Sequence, residues 1–420
     1  MTLAEADKMA ADNATWNFWV SVIDTVFIMA ALSIVSRDTI MPALVSHLTE
    51  SKMAVGLIAA LYNLGMYLPQ LFVANLTERL RYKLPYLIVG SGTLERGPYL
   101  LIGAAIWWFA SPSPTVALLL FYFLLTSSAL TVGFLVPAWY DMIAKVIPVE
   151  RRGRYSGVGH ALGALLSMGC AYWAGTVLDK VSYPNNFALL FLASFAVMFF
   201  SWVALALTRE PPSLTIKQHI PLARFLGELP TILRRDHNYA RFLLSRTTIQ
   251  LGMMANGFFI VYGIERFGID GIFIGNLTVV LVATQAIMSL VWGYVADRTG
   301  YKTLLAAAAF ALALAALLAL MAQSAFWLVG VYVLLGIYTG ADYVAGLNII
   351  LEFSPPEDRP TYIGLTNSML APSLTLGPLL GGWLAGILGY SGLFMTALVI
   401  VLIGGLLMSL LVREPRVEKK

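Results

Sequence analysis

Residues 293–302 read GYVADRTGYK, and a weaker copy, ANLTERLRYK, stands at 74–83. Each copy sets an acid directly before an arginine and a lysine four residues after it: Glu78, Arg79 and Lys83, then Asp297, Arg298 and Lys302. A second pair follows in the same order. PVERRGRYSG at 148–157 aligns with PPEDRPTYIG at 355–364, with five of ten positions identical. Two independent short repeats in matching order mean that one unit has been duplicated head to tail, in parallel orientation.

Composition tells what the unit is made of. Of 420 residues 59% are hydrophobic and 12% charged, with a mean hydropathy of +0.78. A soluble domain carries about 25% charged residues. This chain cannot cover a water-facing surface, which excludes a soluble enzyme, a disordered chain and a nucleic-acid-binding domain. The net charge is only +4. The single cysteine, Cys170, lies in an apolar run, so disulfides and cysteine metal clusters are excluded. His47, His160, His219 and His237 lack ligand spacing. Neither a metal nor a cofactor is expected. Residues 1–15 carry Glu5, Asp7, Lys8 and Asp12, unlike the positive start of a signal peptide, so the first apolar segment is expected to stay as a helix.

A membrane helix needs about 20 mostly apolar residues. Twelve segments qualify: 17–46, 54–76, 85–110, 114–144, 155–178, 187–208, 240–264, 273–296, 302–323, 326–351, 362–388 and 392–412. All are expected to be helical, because lipid offers the backbone no hydrogen-bond partner. Kinks are expected at Pro42, Pro98 and Pro137. With both termini on the cytoplasmic side, 21 of the 27 Lys and Arg face the cytoplasm, 3 face outward (Lys52, Lys180, Arg266) and 3 lie within spans. That bias fixes the expected orientation in a cytoplasmic membrane. The polar stretch 209–239 divides the chain into 1–208 and 240–420. Ile220, Leu222, Phe225, Leu226, Leu229 and Leu233 recur there near helical spacing, which reads as a cytoplasmic linker carrying an amphipathic helix.

At its repeated loops the chain resembles the major facilitator superfamily, whose loops after helices two and eight read approximately G-x-L-A-D-R-x-G-R-K. Gly293, Ala296, Asp297, Arg298, Gly300 and Lys302 match that pattern; the first copy departs at Ala74, Glu78 and Arg81. The resemblance implies an all-α membrane protein of twelve helices in two pseudo-symmetric six-helix bundles. It also implies a monomer that moves a small solute by alternating access. The acid–arginine turns would then act as a cytoplasmic latch, with Glu78, Arg79, Asp141, Arg152, Asp297, Arg298 and Arg359 as its charges. The family's antiporters often carry G-P-x-x-G-G in helix five. Here Gly377-Pro378-Leu-Leu-Gly381-Gly382 lies in span eleven and span five reads Cys170-Ala-Tyr-Trp-Ala174-Gly175, which removes the usual sequence argument for drug efflux.

Charges inside spans are costly and mark candidate sites. They are Asp24, Arg37 and Asp38 in span one, Glu95 and Arg96 in span three, Asp141 at the end of span four, Arg246 in span seven and Asp342 in span ten. The resemblance makes spans one, four, seven and ten the cavity lining. Helical spacing puts Asp24 and Asp38 on one stripe, Arg246 with Gln250 on another, and Tyr338 with Asp342 on a third. Arg37 points away from its stripe unless the helix unwinds near Pro42. Two ion pairs are sterically plausible, Asp24 with Arg96 and Arg246 with Asp342. The Glu95–Arg96 pair reads as a packing element. Trp107 and Trp108 read as an interface belt.

The expected function is secondary transport of a small organic solute, coupled to protons through Asp24 or Asp342. Alternatives on the same fold are an organic-anion exchanger using Arg37 and Arg246, and a drug or lipid carrier or scramblase. No nucleotide loop and no Ser-His-Asp set is present in the sequence, which argues against an ATP-driven pump and an enzyme.

Overall fold

A computed structural model describes residues 3–70, 73, 80–212, 233–346, 348–354 and 359–415. The described chain is helical. In order, the helices are α1 (Leu3–Ile34), α2 (Ile40–Leu48), α3 (Lys52–Tyr67) and α4 (Leu84–Val89), followed by a π-helical segment (Gly90–Glu95). Then come α5 (Gly97–Phe109), α6 (Pro114–Val146), α7 (Val149–Lys180) and α8 (Asn185–Ala206). The second half holds α9 (His237–Gly252), α10 (Phe258–Phe267), α11 (Gly271–Thr299), α12 (Tyr301–Met321), α13 (Trp327–Ala345), α14 (Asn348–Phe353) and α15 (Arg359–Leu411).

Nine helical stretches among the described residues are long and apolar enough to cross a membrane. The other expected spans are present in altered form. Spans eleven and twelve run together in α15, broken only at Gly389, whose φ of 68° is a conformation other residues adopt at a cost. Span three is divided by the π-helical segment, and α3 covers only the first part of span two. The helices are thus consistent with twelve spans.

Starts and breaks follow local chemistry. Asp236 caps α9 by accepting from the Tyr239 amide at 2.8 Å, and Asp270 caps α11 by accepting from Phe273 at 2.7 Å. Pro114 and Pro98 sit in first turns, where no amide donor is needed. Pro98 therefore starts α5 afresh after the π-helical segment. Span one does not bend at Pro42. It ends at Ile34, and α2 restarts at Ile40 with Pro42 in its first turn, so the chain opens at 35–39 instead.

The chain forms two compact units. The first holds residues 1–36 and 64–220, the second 37–63 and 221–420. The segment Arg37–Asn63 thus packs with the second half of the chain. In the first unit α3 and α6 approach so closely that a Cβ on Gly133 would lie 2.6 Å from the Gly65 carbonyl oxygen, a contact only glycine allows. Its core gathers Phe18, Leu135, Met142, Tyr155 and Leu205 from α1, α6, α7 and α8. In the second unit Phe259, Tyr262, Tyr390 and Phe394 stack between α10 and α15.

Candidate functional site

In the first unit, the π-helical segment adds one residue to the turn that divides span three: the Arg96 amide bonds back five residues, to the Ser91 carbonyl at 3.2 Å. That offset aims Arg96 inward. Its Nε donates to the Met198 carbonyl (3.2 Å), Nη1 to Glu95 Oε2 (3.1 Å) and Nη2 to the Ser201 hydroxyl (2.8 Å). Ser201 in turn donates to Asp24 Oδ1 at 2.6 Å, and Arg96 Nη2 stands 3.7 Å from the same oxygen. Asp24 and Arg96 are sealed, with side chains 9% and 5% exposed, while Glu95 is 19% exposed. One guanidinium thus serves two carboxylates, and Ser201 is the bridge. The Ser128 hydroxyl holds the segment to α6 through the Glu95 carbonyl, at 2.7 Å.

The second unit is built differently. Arg246 on α9 donates through Nη2 to Asp342 Oδ1 on α13. Arg246 is 5% exposed and Asp342 is 34% exposed. One turn beyond Arg246, the buried Gln250 accepts from the Tyr338 hydroxyl at 3.3 Å. Trp292 on α11 anchors α13 by donating to the Ile337 carbonyl at 3.0 Å. Tyr343 turns the other way and is 51% exposed.

Arg37 and Asp38 occupy neither cluster. Arg37 lies over the Tyr62 ring, 3.9 Å from its centroid. Asp38 Oδ1 accepts from Asn256 at 2.7 Å, and its carbonyl accepts from Tyr332 at 3.1 Å. Thr39 meets Thr278 at 2.6 Å, and Lys52 pairs with Glu265. All of these contacts lie in the second unit. The break at 35–39 therefore divides a stripe that spacing had made continuous: Asp24 stays with the first unit and Asp38 with the second.

Some of the expected latch charges fall among the described residues. Asp141 pairs with Lys83 (3.0 Å), and Arg152 donates to the Ile147 and Ala144 carbonyls. Asp297 and Arg298 are exposed, with Arg298 stacked on Tyr294. Glu78, Arg79 and the Arg359 side chain lie outside the described residues.

A matched pair of corners was missed in the sequence. Asn17 trades hydrogen bonds with the Arg209 backbone (3.0 and 2.9 Å), and Asn238 does the same with Arg413 (3.0 and 2.8 Å). The next residue in each case is a glutamate that caps the helix after the repeated loop. Glu210 accepts from the Lys83 and Leu84 amides and pairs with Lys145; Glu414 accepts from the Lys302 amide at 3.1 Å. The signal was available as Arg-Glu-Pro at 209–211 and again at 413–415.

A family model described as Major Facilitator Superfamily matches residues 26–263 and 242–420. Among curated proteins, the chain is 29% identical over 161 residues to the Multidrug resistance protein MdtG of Dickeya zeae, covering 37% of this chain and 39% of that one. It is 32% identical over 120 residues to the Staphyloferrin B transporter of Staphylococcus aureus, covering 29% and 28%. The matched stretches therefore span well under half of these relatives. Among solved structures, a mutant of the nucleoside transporter NupG aligns with a TM-score of 0.73 at 11% identity, over 94% of this chain and 99% of that one. A D-xylose-proton symporter aligns with a TM-score of 0.68 at 13% identity, over 99% of both. At such identities the likeness is one of fold alone.

Proposed function

The chain belongs to the major facilitator superfamily, a family of membrane transporters rather than enzymes, and from that premise we propose that it is a proton-coupled secondary transporter of a small organic solute. It works by alternating access in the cytoplasmic membrane, as a monomer with both termini and the 209–239 linker inside.

The observation that carries this reading is the Arg246–Asp342 pair. A carboxylate in the membrane interior is stable as a charge only while a cation faces it. Asp342 has that cation in Arg246 and is itself 34% exposed. A change of state that draws the two apart leaves Asp342 favouring its protonated form, and their return releases the proton. Asp24 and Arg96 have the same charges but are both buried, which supports a packing role for them. The relatives' names, multidrug resistance and staphyloferrin B transport, support a small organic cargo.

Coupling is tested in proteoliposomes. Sugars, organic anions, amphiphilic drugs and lysolipids are screened by thermal shift, since a ligand stabilises the state it binds. A radiolabelled hit is then offered under an imposed pH gradient of either sign. One sign should drive accumulation, and a protonophore should collapse it. Gradient-independent equilibration would instead support a facilitator or scramblase. Reporter fusions after Lys217 and Lys420 test the orientation, and an outside signal from either would overturn it.

A further inference from the structure

Arg246 is only half used. A guanidinium presents five N–H donors in a planar fork. Asp342 takes Nη2 through a single oxygen, while Nη1 is buried and has no hydrogen-bond partner. Buried polar groups in native proteins are satisfied with few exceptions, and an exception calls for an explanation such as a ligand or ion. Burial sharpens the point, because water is scarce around a side chain 5% exposed.

The carboxylate that Arg246 holds is the more exposed member of the pair. Asp342 is 34% exposed and holds one edge of the fork. A carboxylate arriving from solvent meets Asp342 first and can take both edges, since fork-to-fork pairing is stronger than the single contact now present. The described helices of this unit carry few other charges. Between Gly271 and Ala296, α11 carries no charged residue, and α15 carries none between Tyr362 and Leu411. On α12 the only charge is Lys302, at its start; α9 adds only His237 and Arg241 near its start. On α14 the nearest carboxylate is Glu352. Tyr338 and Gln250 are the polar neighbours, hydrogen-bonded to each other, and the Tyr338 hydroxyl also interacts with the Arg246 guanidinium.

We propose that Arg246 recognises a carboxylate on the transported solute, which enters at the unused Nη1 edge and displaces Asp342. The displaced aspartate, without a cation, takes one proton from the water on the side where binding occurs. One carboxylate and one proton then travel together, with no change in net charge at the site. This rests on the reading of Asp342 as the coupling group, and it names the substrate class that reading leaves open.

The test uses purified full-length protein in weakly buffered detergent solution. The probes are acetate, benzoate, succinate and citrate, with benzamide and succinamide as uncharged controls. Wild-type protein should be stabilised by at least one acid, not by its amide, and should take up about one proton per bound anion. R246K, which keeps the charge and loses the fork, should weaken that binding at least tenfold; R246Q should abolish it. D342N should bind the same acid as tightly as wild type or more so, without proton uptake. Amides acting like acids, no response to any acid, or R246K binding as wild type would each overturn the carboxylate assignment. Arg246-dependent binding of an acid with no proton uptake by the wild type would keep the assignment and instead sink the coupling reading. Because the acid–amide comparison is made in the wild type, it stands even where a variant fails to fold.

Discussion

The two units each hold a buried arginine against a carboxylate, and they use it in opposite ways. In the first unit Arg96 spends every edge of its fork: on Glu95, on Ser201 and through it on Asp24, and on the Met198 carbonyl. In the second, Arg246 has one ion-paired nitrogen and a buried Nη1 without a hydrogen-bond partner, and its aspartate is 34% exposed. A saturated cluster resists change, because any motion breaks several bonds at once. A half-used pair with an accessible member can exchange partners. Duplication thus supplied two similar scaffolds that differ in how their buried arginines are bonded.

The largest effect should come from removing the hub of the saturated cluster. Arg96→Met leaves Asp24 and Glu95 without their cation and is expected to cost about 3–5 kcal/mol, the range for breaking a buried pair. Thermal unfolding of the purified protein reads this. A loss under about 1 kcal/mol would mean that the cluster is not sealed. Asp24→Asn should cost less, about 1–3 kcal/mol, because Arg96 keeps Glu95 and Ser201.

The corners sharpen the comparison at a smaller scale. Glu210→Ala removes the acceptor for two amides and for Lys145, and should cost about 1–3 kcal/mol. Glu414→Ala loses the acceptor of the Lys302 amide and should cost about 1 kcal/mol. Equal losses would show that the two corners carry equal load despite their different bonding. Asp342→Asn leaves the buried Arg246 without its carboxylate but with an amide oxygen to accept from it, and should cost less than Arg96→Met, about 1–3 kcal/mol.

Much of this was legible in the chain. The repeats at 74–83 and 293–302 showed the duplication, and apolar length showed the helices. The family resemblance, with stripe and depth along each span, was enough to bring Arg246 to Asp342, because each sits within a single helix where one turn fixes direction. It failed where helices break. Arg37 and Asp38 were read onto a continuous span one, yet the chain opens at 35–39, and both side chains find partners in the second unit. The π-helical turn that aims Arg96 has no sequence mark beyond Gly90 and Gly92, residues common throughout these helices. Ser201 is one serine among many, and only packing makes it the bridge. Glu210 and Glu414 were written plainly in the repeated Arg-Glu-Pro but fell at span ends, where charges read as mere topology signals.

The most direct test is to compare Asp24→Asn and Asp342→Asn with wild type for accumulation driven by a pH gradient, in proteoliposomes loaded with equal amounts of folded protein. Asp342→Asn should lose gradient-driven accumulation while still exchanging bound solute across the membrane. Asp24→Asn should accumulate solute in proportion to its folded fraction. Full accumulation by Asp342→Asn, or its loss in well-folded Asp24→Asn alone, would contradict the assignment of coupling to the second unit.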